Sequence, residues 1–124
     1  LLAYVGGKPV GWCKAAPRLA LPRLNLYKDL QVDDADRVGS IVCFVIAKHY
    51  RGRGIARRLL DAACDVLAHR GLAFAEAYPR KHAESEADNY PGSLKMYIAA
   101  GFTIFREVDK RVIVRKPLLK HHVL

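Results

Sequence analysis

Cysteine is scarce in this sequence, with three residues among 124, and their odd number and spacing argue against a disulfide framework and a zinc site. Cys13, Cys43 and Cys64 lie in apolar stretches, so we expect reduced thiols in the core of a cytoplasmic protein. No apolar run approaches the roughly 20 residues that a membrane-spanning helix needs. The first residues also lack the basic leader of a signal peptide. We therefore expect neither a secreted nor a membrane protein.

Acidic residues are also few, with 12 Asp and Glu against 21 Lys and Arg, and the net charge is +9. This balance favours an anionic partner, such as nucleic acid, a membrane surface or a phosphorylated small molecule, without choosing among them. Methionine occurs once, at Met96, and residue 1 is Leu, which indicates that a native N-terminal segment precedes this chain. The length and the 52% hydrophobic content fit a single globular domain over residues 1–124.

Hydrophobic periodicity predicts two strands, a long connection, then strand, helix, strand, helix and a final pair of strands. Gly6-Gly7 indicates a hairpin turn, and the apolar run 38–47 predicts a central strand covered on both faces. The helix that follows carries one apolar stripe, formed by Ile55, Leu59, Leu60, Ala63 and Leu67. The strand-helix-strand unit implies a parallel crossover, and the hairpins add antiparallel strands. The fold class is therefore α/β, with a mixed, mostly antiparallel twisted sheet.

The later part of the chain adds three further predictions. In residues 72–79, Glu76 and Tyr78 share one face of a strand and alanines share the other. A polar loop is expected over residues 80–90, and then a short helix capped by Ser93 and ended by Gly101. The last segment predicts a hairpin that turns near residues 109–110.

Residues 49–60, HYRGRGIARRLL, place two glycines and four arginines where the central strand gives way to the helix. A helix start exposes free N–H groups and about half a positive charge. Gly52 and Gly54 would let the backbone approach a bulky anion, and each charge-assisted hydrogen bond would contribute about 1.5–3 kcal/mol. The alternative is a solvated basic helix start. Neither a Walker loop nor a dinucleotide-binding G-x-G-x-x-G motif is present.

The pattern Arg51-x-x-Gly54-x-Ala56 resembles the acetyl-coenzyme A signature, [QR]-x-x-G-x-[GA], of the GNAT superfamily of N-acetyltransferases. Residues 93–102, SLKMYIAAGF, resemble a later motif of that family, a helix that carries a tyrosine and ends in Gly-Phe. The resemblance implies the acyl-CoA N-acyltransferase fold without the family's N-terminal strand and helices. It also implies direct transfer of an acetyl group from acetyl-CoA to a primary amine, with no metal.

The resemblance also implies a set of cofactor-binding residues. The pyrophosphate of coenzyme A would lie against the turn and the helix start, formed by Arg51, Gly52, Arg53, Gly54, Ile55, Ala56 and Arg57. Pantetheine would bond to backbone groups of the central strand near Phe44, Val45 and Ile46. Tyr90 stands where the family often has an asparagine, with Asn89 beside it, so no cofactor contact is assigned there.

Acetyl transfer requires a neutral amine, and deprotonating a lysine-like amine at pH 7 costs roughly 4.6 kcal/mol. Glu76, on the strand after the binding helix, is the candidate base, and the alternative is a glutamate paired with an arginine. Tyr97 corresponds to the family's tyrosine, which donates a proton to the sulfur, and the alternative is a core tyrosine. Trp12 and Cys43 are interpreted as packing residues. His121 and His122 are interpreted as part of a frayed terminus rather than a metal site.

Two other functions remain open. One is a non-catalytic acyl-CoA-binding module, and the other is a nucleic-acid-binding domain suggested by the charge of +9. Against nucleic acid, the basic and aromatic residues do not interleave as on a base-stacking surface. The expected partners are acetyl-CoA and an amine acceptor, with no membrane, and unpaired strands favour a homodimer. The acidic run Asp33, Asp34 and Asp36 would attract an amine or form a solvated loop.

Overall fold

The computed structural model describes residues 1–82 and 90–118, and within them six strands form one sheet. The strands are β1 (Leu2–Val5), β2 (Lys8–Pro17), β3 (Val38–Ile46), β4 (Phe74–Ala77), β5 (Thr103–Glu107) and β6 (Val112–Pro117). Helix α1 spans Ile55–His69 and helix α2 spans Leu94–Ala99. The order of elements matches the periodicity prediction. The polar loop expected over residues 80–90 falls largely outside the described residues.

The sheet is mixed, with the spatial order β1-β2-β3-β4-β6-β5. β3 and β4 pair in parallel around α1, and every other pair of neighbouring strands is antiparallel. This confirms the predicted fold class. β6 inserts between β4 and β5, so β1 and β5 form the two edges and carry exposed apolar side chains such as Tyr4 and Phe105. The expected homodimer stays a prediction.

The main core lies between the sheet and the two helices. α1 buries the predicted stripe, and Leu60 and Leu67 have almost no solvent exposure. Leu67 lies directly over Gly39 of β3, and a Cβ built there would stand 2.6 Å from its side chain. The alternation predicted for β4 is confirmed, because Ala75 and Ala77 pack in this core. α1 is therefore held tightly against the central strand.

The opposite face of the sheet is covered by the long connection between β2 and β3. This connection forms four short 3-10 helices between Arg18 and Arg37. Its Leu24 and Leu30 pack against Tyr78 and Ile113 of the sheet in a second, smaller core. The connection therefore gives the sheet an apolar layer on the face away from the helices.

A β-bulge interrupts the pairing of β2 with β3, since Lys14 pairs with Cys43 and the next residue, Ala15, pairs with Ile41. Val42 is thus an extra residue in β3, and such a residue bends the strand. β4 pairs with β3 only from Val38 to Ile41. The remainder of β3 is half open to solvent, with Val45 45% exposed, so the prediction of a strand covered on both faces is wrong for this half. The sheet therefore opens between β3 and β4.

Candidate active site

Two left-handed glycines shape the turn between β3 and α1. Gly52 and Gly54 have φ angles of 75° and 79°, and no non-glycine residue in the described part of the chain has a positive φ. The φ angle is therefore positive at Gly52, negative at Arg53 and positive at Gly54. Such alternation turns successive N–H groups toward a shared concavity. The space that a Cβ would occupy is empty at both glycines. The turn can thus admit a bulky anion close to the backbone.

The amides at the start of α1 have no partner in the part of the chain that the structure describes. The first helical hydrogen bond runs from the Arg58 N–H to the Gly54 oxygen at 3.1 Å. Among the described residues, the N–H groups of residues 52–57 donate no hydrogen bond. Gly54 supplies no side-chain cap, and the first turn of α1 contains no acidic residue. Six amides and the positive end of the helix dipole therefore have no anionic partner within residues 1–82 and 90–118.

Arginine side chains surround this turn. The Arg51 Nε donates to the Ile46 oxygen at 3.1 Å, and the Arg53 guanidinium lies over the Tyr50 ring at 5.1 Å. Arg57 forms an exposed ion pair with Asp61, at 3.1 Å from Nε to Oδ1. The structure thus brings all the pyrophosphate-binding candidates together, Ile55 and Ala56 included, as one continuous turn and helix start.

The open half of β3 presents backbone groups on its free side. The Phe44 N–H donates to the Tyr90 oxygen at 2.7 Å, so the Phe44 backbone points away from β2. Backbone direction alternates along an antiparallel ladder, so Ile46 points the same way and Val45 points toward its partner Trp12. Of the three pantetheine candidates, the structure therefore brings Phe44 and Ile46 to the opening and turns Val45 toward β2.

Tyr97 lies in the core beneath the segment that precedes α2. Its side chain is fully buried, and its hydroxyl donates to the Pro91 oxygen at 2.5 Å. The ring packs edge-on against Phe102, and the hydroxyl would lie 2.6 Å from a Cβ at Gly92. Burial raises the pKa of this phenol well above its ordinary value, so the group stays protonated. The structure places Tyr97 as a core residue, and its acid role stays a prediction.

Glu76 is also fully buried and is enclosed by three donors. Its Oε1 accepts from Arg18 at 2.9 Å and from the Tyr78 hydroxyl at 2.8 Å, and its Oε2 accepts from the Arg115 Nε at 2.6 Å. Arg115 also binds both oxygens of Asp34, at 2.6 and 2.8 Å. The arrangement is the arginine pairing named as the alternative for Glu76, and its role as a base stays a prediction.

The two catalytic candidates lie on opposite faces of the sheet. Tyr97 packs in the core beneath the helices, whereas Glu76 alternates with Ala75 and Ala77 and faces the long connection. Asp34, from the acidic run, belongs to the Glu76 network rather than to an open loop, and its hydrogen bonds from Arg115 lower its pKa. The structure therefore does not bring the predicted acid and base together.

A cavity of about 580 Å³ lies on the face of the sheet opposite the helices. Residues of β2, β3 and the connection line it together with residues that flank β4, β6 and α2, and the lining includes Trp12, Lys14, Cys43, Tyr78, Pro91 and Arg111. Cys43 is only half-buried, so its interpretation as a core residue is wrong. Trp12 is 39% exposed, and its interpretation as a packing residue stays a prediction. Sequence reasoning missed the cavity, because the bulge at Val42 reverses which residues of β3 face it.

No group of three His, Cys, Asp or Glu side chains in the described part of the chain could hold a metal ion. Asn89, His121 and His122 lie outside the described residues. No helix in the described ranges is both long enough and apolar enough to span a bilayer.

Comparison with known proteins gives one family and a set of related folds. The sequence profile of the acetyltransferase (GNAT) family matches residues 1–102. No curated protein matches the sequence. The fold resembles an IAA acetyltransferase from Bacillus cereus, with a TM-score of 0.63 and 18% identity over 94% of this chain and 75% of that one.

Two further structures show the same likeness. A GNAT-family acetyltransferase from Listeria monocytogenes has a TM-score of 0.65 and 15% identity over 90% of this chain and 59% of that one. The PaiA N-acetyltransferase from Thermoplasma acidophilum, in complex with coenzyme A, has a TM-score of 0.63 and 12% identity over 94% of this chain and 58% of that one. The chain thus spans less than two thirds of these two structures. At such identities the likeness concerns the fold.

Proposed function

The chain belongs to the acetyltransferase (GNAT) family, and on that premise we propose that it transfers an acetyl group from acetyl-CoA directly to a primary amine. The observation that carries the proposal is the row of six amides, residues 52–57, which have no acceptor among the described residues. This row coincides with the Arg51-x-x-Gly54-x-Ala56 signature. A diphosphate fits such a site because it needs several donors at one point.

In this proposal the amides of residues 52–57 bind the pyrophosphate, and Arg51, Arg53 and Arg57 surround it with positive charge. The Phe44 N–H and the Ile46 backbone orient the pantetheine arm along the open half of β3. The Tyr90 oxygen now occupies the Phe44 N–H, so pantetheine must displace it. Acetyl-CoA, when bound, supplies the activated thioester.

The proton transfers are assigned to the two predicted residues. Glu76 has no direct access to the cavity, so we propose that it takes the amine proton through the Tyr78 hydroxyl. That hydroxyl donates to Glu76 at 2.8 Å, and Tyr78 lines the cavity. Tyr97 would give its proton to the leaving sulfur, which requires its hydroxyl to release the Pro91 oxygen.

A non-catalytic coenzyme A-binding module is the second candidate, because the hydroxyl of Tyr97 and the carboxylate of Glu76 are both buried and bonded within the chain. The test measures thiol release from acetyl-CoA over a panel of primary amines, with coenzyme A binding measured in parallel. We expect amine-dependent release. Binding without release for any amine would leave the non-catalytic module, and DNA binding with no response to coenzyme A would overturn both candidates.

A further inference from the structure

The cavity opposite the helices is lined by basic groups and by no acidic ones. Lys14, Arg23 and Arg111 contribute to its wall, and no Asp or Glu is among the described lining residues. Accepting that the chain is an N-acetyltransferase, we infer that its acceptor is a small amine bearing a carboxylate, as an amino acid does. The carboxylate would bind these three cations while the amine faces β3.

The basic groups retain unused hydrogen-bonding capacity. Lys14 and Arg23 form no hydrogen bond or ion pair with the described residues. The Arg111 Nη1 donates to the Tyr78 backbone oxygen at 3.0 Å, which leaves the rest of the guanidinium for a ligand. Burial, and then the nearby charge of Arg80, lowers the pKa of Arg111, and the opposing effects of Tyr27 and Asp29 offset this only in part. An anionic ligand would stabilise the charged guanidinium further.

The cavity adjoins the place where the thioester would lie. Val42 and Cys43 line it, and the next residue, Phe44, carries the N–H assigned to pantetheine. Pro91 lines it too, beside Tyr90, whose oxygen now accepts from that N–H. An amine in the cavity would therefore approach the thioester through the gap that the bulge opens between β3 and β4.

Size and charge together favour a small amino acid over a polyamine. A volume of about 580 Å³ falls in the range of small-molecule sites. Positive charge around the cavity repels a polycation. The same charge lowers the pKa of a bound ammonium group, because like charges disfavour the protonated form. The lining would thus hold one end of an amino acid and help to deprotonate the other.

The sole tryptophan of the chain, Trp12, lines the cavity and reports binding without turnover. Its fluorescence is titrated with matched pairs, phenylalanine against phenethylamine and lysine against cadaverine, in which the members differ only by the carboxylate. We expect the amino acid to bind at least about tenfold more tightly in each pair, a difference of about 1.4 kcal/mol. In thiol-release assays the value of kcat/KM should follow the same order.

The variants Lys14→Gln and Arg23→Gln should each weaken amino acid binding by about three- to tenfold and should not weaken phenethylamine binding. Lys8→Gln, an exposed lysine outside the cavity, is the matched control and should change neither. Equal binding within each pair, or tighter binding of cadaverine, would overturn the inference. If no amine is acetylated, the proposed function fails, while a carboxylate-dependent response of Trp12 would still establish the anion-binding cavity.

Discussion

Among individual residues, Gly54 is the one on which the proposed coenzyme A site depends most, because it combines a left-handed backbone with open space for a ligand. Gly54→Ala strains the backbone by about 1–2 kcal/mol and adds a Cβ at the proposed diphosphate site. We expect coenzyme A binding, measured by calorimetry, to weaken at least about tenfold, since several amides lose their alignment.

Gly71, at the other end of α1, is the matched control. Its φ of 81° and the open space around it nearly repeat those of Gly54. Gly71→Ala should therefore lower the melting temperature by a similar amount and leave the coenzyme affinity unchanged. Equal affinities for the two variants would remove the turn from the binding site.

Tyr97→Phe separates a catalytic from a packing role. The change leaves the buried Pro91 oxygen without its donor, which costs about 1–2 kcal/mol of unfolding free energy. If the phenol protonates the sulfur, kcat falls about 100-fold with the KM for acetyl-CoA little changed. Ser93→Ala is the control on the same helix, since it removes the cap to the Met96 N–H at about the same cost in stability. A similar kcat for the two variants would reject the acid role.

The contacts of single side chains were largely beyond sequence reasoning. The turn glycines and the Ser93 cap could be predicted, because local backbone rules determine them. The partners of Glu76 could not, since Arg18 and Arg115 lie 58 and 39 positions away along the chain. No pattern in the sequence selects these two arginines from the other basic residues.

Among the secondary-structure elements, the contact of α1 with β3 depends on Gly39. A Cβ at this position would stand 2.6 Å from the Leu67 side chain, so that side chain or the helix must shift. We expect Gly39→Ala to lower the free energy of unfolding by about 1–3 kcal/mol in urea titrations.

A double variant, Gly39→Ala with Leu67→Ala, tests whether the clash with Leu67 causes this loss of stability. Leu67→Ala alone should lower the free energy of unfolding by about 2–5 kcal/mol, because it leaves a cavity. In the double variant, Leu67→Ala removes the clash and the new Cβ at position 39 partly fills the cavity. The double variant should therefore lose less unfolding free energy than the sum of the two single variants. If the two losses of unfolding free energy simply add, contact with Leu67 is not the reason why Gly39→Ala destabilises the fold.

The order and type of elements could be predicted because the chain keeps clear periods, 2 in β4 and 3.6 in α1. The bulge at Val42 could not. β3 is apolar on both faces around this residue, so an inserted residue leaves no break in the pattern. The sequence consequently indicated the turn proposed to bind pyrophosphate, which depends on local backbone rules, but not the cavity, which depends on the bulge.

For the molecule as a whole, the buried charge network makes stability depend on pH. Hydrogen bonds from Arg115 hold the pKa of Asp34 below its ordinary value of 3.8 in the folded state. A folded-state pKa below the unfolded one stabilises the protein above the unfolded value, and this stabilisation is lost as the pH falls through the folded value.

We therefore expect the free energy of unfolding to decrease from about pH 5 to pH 3 and Asp34→Asn to flatten part of that decrease. Asp61→Asn, which disturbs only an exposed pair with Arg57, should leave the slope nearly unchanged. Urea titrations across this range make the comparison. If the free energy of unfolding falls with pH at the same slope in wild type and Asp34→Asn, the titration of Asp34 does not contribute to stability.

An amide NMR titration of the chain with coenzyme A tests the proposed diphosphate site most directly. We predict saturable binding in which the N–H resonances of residues 52–57 shift most, as expected of amides that gain a diphosphate acceptor. Saturable binding that leaves these six resonances in place, or no binding at all, would contradict this prediction.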